Sequence, residues 1–147
     1  MTDAPQPRVG LGVIVARAGH VLLGLRDGAH GAGCWALPGG HLEWQESFAQ
    51  CARRELAEEV GLVLRRAEVA WVTNDPMPDE GRHYVTVFLR VDASGEPQRL
   101  EPHRCLEWAF FAPDELPGPL FAPLARLVAE RGAAFLVAPV AAAEPFQ

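Results

Sequence analysis

Two apolar runs open the chain, VGLGVIVAR and HVLLGLR, and their β-branched and leucine-rich make-up predicts strands over about 9–17 and 20–26. The Ala18-Gly19 step between them suits a hairpin turn. GAHGAG (28–33) reads as a flexible loop, and CWALPGG as a short strand ending at Pro38-Gly39-Gly40. From Glu46 to Val60 the period changes. Ala49, Ala52, Leu56 and Val60 recur on one stripe of a helix, and Gly61 stands where a helix end favours a left-handed residue. VLRRAEVAWVTN (63–74) predicts a further strand and NDPMPDEGR a loop. HYVTVFLRVD (83–92) sets Tyr84, Thr86, Phe88 and Arg90 on one face, against Val85, Val87, Leu89 and Val91 on the other, the alternation of a strand. ASGEPQRLEPHR is loop-like, CLEWAFFA a strand and PDELPG a turn. A second helix is expected over about 120–132, with Pro123 in its first turn. Strands mixed with two helices imply an α/β sandwich, one domain over 9–137 with tails at 1–8 and 138–147.

Composition narrows the possibilities further. Apolar residues make up 49% and charged residues 22% of the 147, an ordinary soluble balance. No apolar run approaches the ~18 residues a membrane span needs, and MTDAPQPR lacks the features of a signal peptide, so a cytoplasmic protein is expected. Cys34, Cys51 and Cys105 lack metal-ligand spacing and read as free thiols. A net charge of −6 argues against a surface that coats a nucleic-acid polymer, yet admits a small anionic ligand if a metal offsets the charge.

One stretch resists a purely structural reading. RRELAEEVGL (53–62) crowds Glu55, Glu58 and Glu59 onto one short helix, where like charges at i,i+4 are mildly destabilising. At about 100° per residue the three span an arc of roughly 100°, on the rim of the apolar stripe. Oxygen donors at that density suit a hard divalent cation, Mg²⁺ or Mn²⁺, rather than zinc. Arg54 is an internal counter-charge, and Gly39 and Gly40 permit close backbone approach.

The setting, GHLEWQESFAQCARRELAEEVGL (40–62), resembles the Nudix box without a gap. Its seven invariant letters fall on Gly40, Glu46, Arg54, Glu55, Glu58, Glu59 and Gly61, with Leu56 and Leu62 in the aliphatic slots. At residue frequencies of about 7%, chance agreement at seven positions is on the order of one in a hundred million. The resemblance to the Nudix hydrolases implies an α/β/α sandwich whose mixed sheet is flanked by helices. It implies Mg²⁺ held by Glu55, Glu58, Glu59 and the Gly39 carbonyl, with Glu55, Glu58 and Arg54 in catalytic roles and Glu46 orienting Arg54. A box glutamate, or a carboxylate from a later loop, is expected to accept the proton of the attacking water.

GVIV, VLLGLR, GAGCWALPGGHLE, VTND, HYVTVF and LEPHRC–EW with PDELP extend the similarity to the small nucleoside-triphosphate diphosphatases of this family. That implies (d)NTP substrates, oxidised or modified purine nucleotides among them, cleaved to monophosphate and pyrophosphate, and a homodimer. ADP-ribose, NADH or a dinucleoside polyphosphate is the alternative. Where the subgroup often carries Glu-Pro-Glu-Lys, this chain has Glu101-Pro102-His103-Arg104; if that second glutamate serves as ligand or base, Glu101 or Glu107 takes over from it or the rate falls, and His103 itself reads as a surface-loop histidine. For substrate contacts the expectations are Arg26, Gly40, His41 and Tyr84. Trp35, Trp44, Phe88, Trp108 and Phe110 are further candidates for a base pocket.

Overall fold

The structure, a computed structural model, describes residues 4–28 and 30–141. Its β1 (Arg8–Arg17) and β2 (His20–Arg26) form the expected hairpin, with Ala18 and Gly19 both at positive φ, 50° and 75°. Two left-handed residues give the turn whose twist matches that of its strands. Beyond the hairpin end the two strands diverge. β1 runs parallel to β6 (Arg82–Ser94), which pairs antiparallel with β5 (Val63–Met77). β2 pairs antiparallel with β3 (Trp35–Ala36) and β7 (Cys105–Phe111). Into the gap comes β4 (Gly39–His41), antiparallel to β1. The CWALPGG segment is thus two short strands, divided at Leu37-Pro38.

Alternation along β1 feeds two cores. Leu11, Val13 and Val15 pack with Cys51, Ala52, Leu56 and Val60 of α1 (Phe48–Val60). On the opposite face, Ile14 packs with Phe88 and with Leu124 and Leu127 of α2 (Ala122–Arg131). The result is the mixed sheet between helices that the sequence implies. No helix among the described residues is long and apolar enough to cross a membrane, and all three cysteines are free.

Several boundaries move for identifiable reasons. α1 begins at Phe48, not Glu46, because Ser47 caps it. The Ser47 hydroxyl accepts from Gln50 N–H at 3.0 Å, while Gln50 Oε1 accepts from Ser47 N–H at 2.8 Å. At the other end Gly61 adopts φ 70°. NDPMPDEGR is not a loop throughout: pairing of Pro76 with His83 and Met77 with Arg82 carries β5 to Met77, leaving a 3-10 turn at Pro78–Glu80. Arg8, assigned to the tail, already pairs with Tyr84. The second helix is shorter than 120–132, with Pro123 in its first turn. Of the C-terminal tail, Ala138 receives a hydrogen bond from buried Arg90, and 142–147 lie outside the described residues.

Candidate active site

Where β1 and β2 part, a cavity of about 730 Å³ opens. Its wall runs from the glutamates of α1, past Gly39 and Gly40, to Tyr84, Phe88 and Phe121 on the α2 side of the sheet. Nine residues expected from sequence to serve catalysis, metal or substrate line it: Arg26, Gly39, Gly40, His41, Arg54, Glu55, Glu58, Glu59 and Tyr84.

Arg54 organises the acidic end. Its Nε donates to Glu46 Oε2 at 2.8 Å and its Nη2 to Glu46 Oε1 at 3.0 Å, a forked pair of charge-assisted bonds. Nη1 donates to Glu55 Oε1 at 2.7 Å and lies 3.6 Å from Glu58 Oε2. The hydrogen bond from Arg54 holds the Glu46 carboxyl down at about 2. Glu46 sits in the turn before the helix, so it reaches Arg54 from outside the helix face.

Glu59 turns elsewhere, accepting from Gly39 N–H at 3.0 Å. Burial pushes its carboxyl well above the usual range, with Glu55 adding to the effect and the Gly39 N–H opposing it. Burial likewise raises Glu55, against the pull of Arg54. Among the described residues no three acidic, histidine or cysteine side chains close into a preformed metal cluster. The reason is visible: Glu55 and Glu58 face Arg54 while Glu59 faces Gly39. The donor chemistry still fits a hard cation. Carboxylates that burial discourages from ionising stand on one rim, and a cation would supply the compensation the protein gives only in part.

Neither glycine leaves room for a Cβ in the structure as it stands. A Cβ on Gly39 would land on the Leu11 carbonyl, with the carbonyl carbon 2.9 Å away. One on Gly40 would strike the Glu55 carboxyl, whose carbon would lie at 2.5 Å. The backbone therefore runs directly against the carboxylate.

At the other end, His41 Nε2 lies 3.0 Å from the Tyr84 hydroxyl, and their rings stack at 5.3 Å. Burial lowers His41, and Arg8 and Arg82 add to that. Arg26 ends β2 with its guanidinium 4.6 Å over the Phe121 ring, and burial lowers it against the attraction of Glu59. Phe88 and Trp108 line the cavity; Trp44 is 90% exposed, and Trp35 and Phe110 pack against the cores. Glu101 and His103 also line it, whereas Glu107 is exposed on β7 opposite Leu25. His103 is an exposed turn residue at the cavity's edge, and Glu101 brings a carboxylate from a later loop to the wall. Sequence reasoning missed His30, Glu80 and Phe121. His30 meets Glu80 across 50 residues, a pairing no local pattern announces.

Comparison with known proteins agrees with this geometry. The NUDIX domain matches residues 6–131. A solved MutT NUDIX hydrolase from Burkholderia pseudomallei superposes with a TM-score of 0.80 at 38% identity, covering 91% of this chain and 100% of that one. An 8-oxo-dGTP diphosphatase from Proteus vulgaris is 32% identical over 62% of this chain and 80% of its own. An ADP-ribose pyrophosphatase from Methanocaldococcus jannaschii is 30% identical over 60% of this chain, and the match spans about half, 53%, of that relative. Box, fold and matched length converge on one assignment: this chain belongs to the Nudix family, among its MutT-like members.

Proposed function

We propose that the protein is a Mg²⁺-dependent pyrophosphohydrolase of small nucleotides, cleaving (d)NTPs, oxidised or modified ones included, to monophosphate and pyrophosphate. The observation that carries this reading is the two-ended cavity. One end is a carboxylate rim with Arg54 at its centre, the other a wall of rings with Arg26 between them. A triphosphate and a base need those two chemistries side by side.

Glu55, Glu58, Glu59 and the Gly39 carbonyl would hold Mg²⁺, or Mn²⁺ in its place. The chemistry such a cation would supply is neutralisation of phosphate charge and a lowered pKa for bound water. Arg54 fixes the Glu55 rotamer, and Glu46 fixes Arg54. A rim carboxylate, from the helix or from Glu101, takes the proton of the attacking water. Arg26, whose guanidinium matches phosphate oxygens, holds the polyphosphate, while Gly40 lets it approach and His41 and Tyr84 bound the far side. A small nucleotide, rather than a nucleic-acid polymer or a membrane, is the partner this cavity fits, in a cytoplasmic protein that functions as a homodimer.

The test is a panel of (d)NTPs, ADP-ribose, NADH and diadenosine tetraphosphate with Mg²⁺, separated by chromatography. Release of pyrophosphate and monophosphate from triphosphates is expected. Inertness toward every (d)NTP, with turnover of ADP-ribose, would replace the reading with the activity named for the Methanocaldococcus jannaschii relative.

A further inference from the structure

Crowded glutamates on α1 call for a cation, and two arginines at the start of the sheet call for the opposite charge. Arg82 opens β6 and lines the cavity, and Arg8 opens β1. Arg8 stands opposite Tyr84 in the parallel β1–β6 pair, and Arg82 precedes Tyr84 by two residues, so the three side chains share one face of the sheet. Strand spacing and rise put Arg8 and Arg82 about 8 Å apart at the backbone. Among the described residues neither forms an ion pair with a carboxylate, although the chain carries a net charge of −6. Like charges on one sheet face repel, and nothing in the protein offsets these two.

Arg82 is exposed yet tied to the site. Its Nη1 donates to the Tyr84 hydroxyl at 3.3 Å, and that hydroxyl lies 3.0 Å from His41 Nε2. Tyr84 is buried and, like His41, lines the cavity, so the bond draws the guanidinium onto the cavity wall. A guanidinium has five N–H donors, and this bond commits one of them. The acidic rim is well separated from it. Glu55 lies against Gly40, which stands opposite Leu11 on β1. Arg82 is five residues back along the sheet from that level, about 16 Å at the backbone, with His41 and Tyr84 in between.

We propose that Arg82, with Arg8 beside it, forms a second anion subsite that takes a phosphate on the sugar of the bound nucleotide, remote from the anhydride that is cleaved. The inference rests on the nucleotide reading above and extends its substrate class to nucleotides that carry a further phosphate group. The anhydride sits on the rim, the nucleoside spans the cavity, and the second phosphate meets the arginines. A guanidinium forks onto two phosphate oxygens, and the bond to Tyr84 holds Arg82 in place to do so. An arginine that served only solubility would need neither a buried tyrosine as its partner nor a second cation at its side.

The experiment measures binding rather than turnover. Calorimetry in Mg²⁺ compares AMP with adenosine 3′,5′-bisphosphate, adenosine 2′,5′-bisphosphate and the 5′-phosphorylated dinucleotide pApA, none of which contains an anhydride. In the wild type at least one of the three is expected to bind about tenfold tighter than AMP. A gain for a bisphosphate marks a monoester site, and a gain for pApA alone marks a diester site. Arg82→Gln brings the ratio near one while AMP binding is unchanged, and Arg82→Lys, a point charge without the fork, restores part of it. Arg65→Gln removes the same charge on β5, where Arg65 Nε donates to Ser94 Oγ, and leaves the ratio at its wild-type value. Wild-type ratios near one for all three ligands overturn the proposal. Equal ratios in wild type and Arg82→Gln, an equal fall in Arg65→Gln, or no binding of any of the four overturn it as well. Cleavage of (d)NTPs with ratios near one would leave the proposed activity and remove the subsite. A preference abolished by Arg82→Gln, in a protein that cleaves no (d)NTP, would do the reverse.

Discussion

Gly40→Ala separates the demands of the fold from those of the site. The added methyl would meet the Glu55 carboxyl carbon at 2.5 Å and its farther oxygen at 2.8 Å. Non-bonded carbons settle near 3.5–4.0 Å, so the carboxylate must retreat by about 1 Å. Glu55 is a side-chain end and can move, which spares the fold. Its retreat, however, breaks the 2.7 Å bond from Arg54 that fixes its position. A reacting group displaced by about 1 Å can cost on the order of 10²-fold in rate. The expected result is a loss of about 1 kcal/mol or less in urea unfolding, with a 10- to 100-fold fall in turnover and a higher Mg²⁺ requirement, by roughly these principles. Turnover within twofold of wild type, at an unchanged Mg²⁺ half-saturation, would refute the claim that Glu55 acts from where it stands. Gly39→Ala gives the contrast. Its methyl meets the Leu11 backbone, which cannot yield, so a stability loss of about 3 kcal/mol is expected in the same unfolding assay.

Other outcomes follow from the same geometry. Glu59→Gln removes a carboxylate whose ionisation burial opposes, while its amide oxygen can still accept from Gly39. The melting temperature should hold or rise while turnover falls about 10²-fold, and a parallel loss of both would contradict this. Arg54→Lys cannot fork onto Glu46 and also reach Glu55, so a fall in kcat of about tenfold or more is expected, with Glu115→Gln as an unaffected surface control. Stability of the metal-free protein should form a dome with pH. The raised Glu59 contributes stability that is full below the ordinary carboxyl value of 4.5 and is lost as pH climbs through its elevated value. The depressed Glu46 contributes stability present above 4.5 and lost as pH falls toward 2. Melting curves from pH 2 to 9 check both flanks, and a flat profile would contradict the burial argument.

How far the sequence reaches is best seen residue by residue. The β-branched make-up of 9–17 is a local pattern and marked β1 as a strand, whereas the sorting of Leu11, Val13 and Val15 against Ile14 between two cores shows only in the fold. The helix stripe at Ala52, Leu56 and Val60 was equally legible. Glu46 as the partner of Arg54 was readable from the resemblance, although the helix start was misplaced by two residues because the Ser47–Gln50 capping box was overlooked. What stayed hidden depends on contacts between distant segments. The extension of β5 to Met77 is imposed by β6, overriding the two prolines at 76 and 78 that suggest a loop. The glutamates lie on one rim as their spacing requires, yet the division of Glu55 and Glu58 toward Arg54 and Glu59 toward Gly39 follows from where β4 enters. His30 looked like one polar residue in a glycine loop until the β5–β6 turn brought Glu80 to it.

The acidic rim of α1 must be a seat for a hard divalent cation if Glu55, Glu58 and Glu59 act as proposed. Mg²⁺ titration followed by thermal unfolding, on wild type and Glu59→Gln side by side, tests that without any substrate. A saturable rise in melting temperature for the wild type, absent or much weakened in the variant, is the predicted result. Equal shifts in both proteins, or none in either, would contradict it.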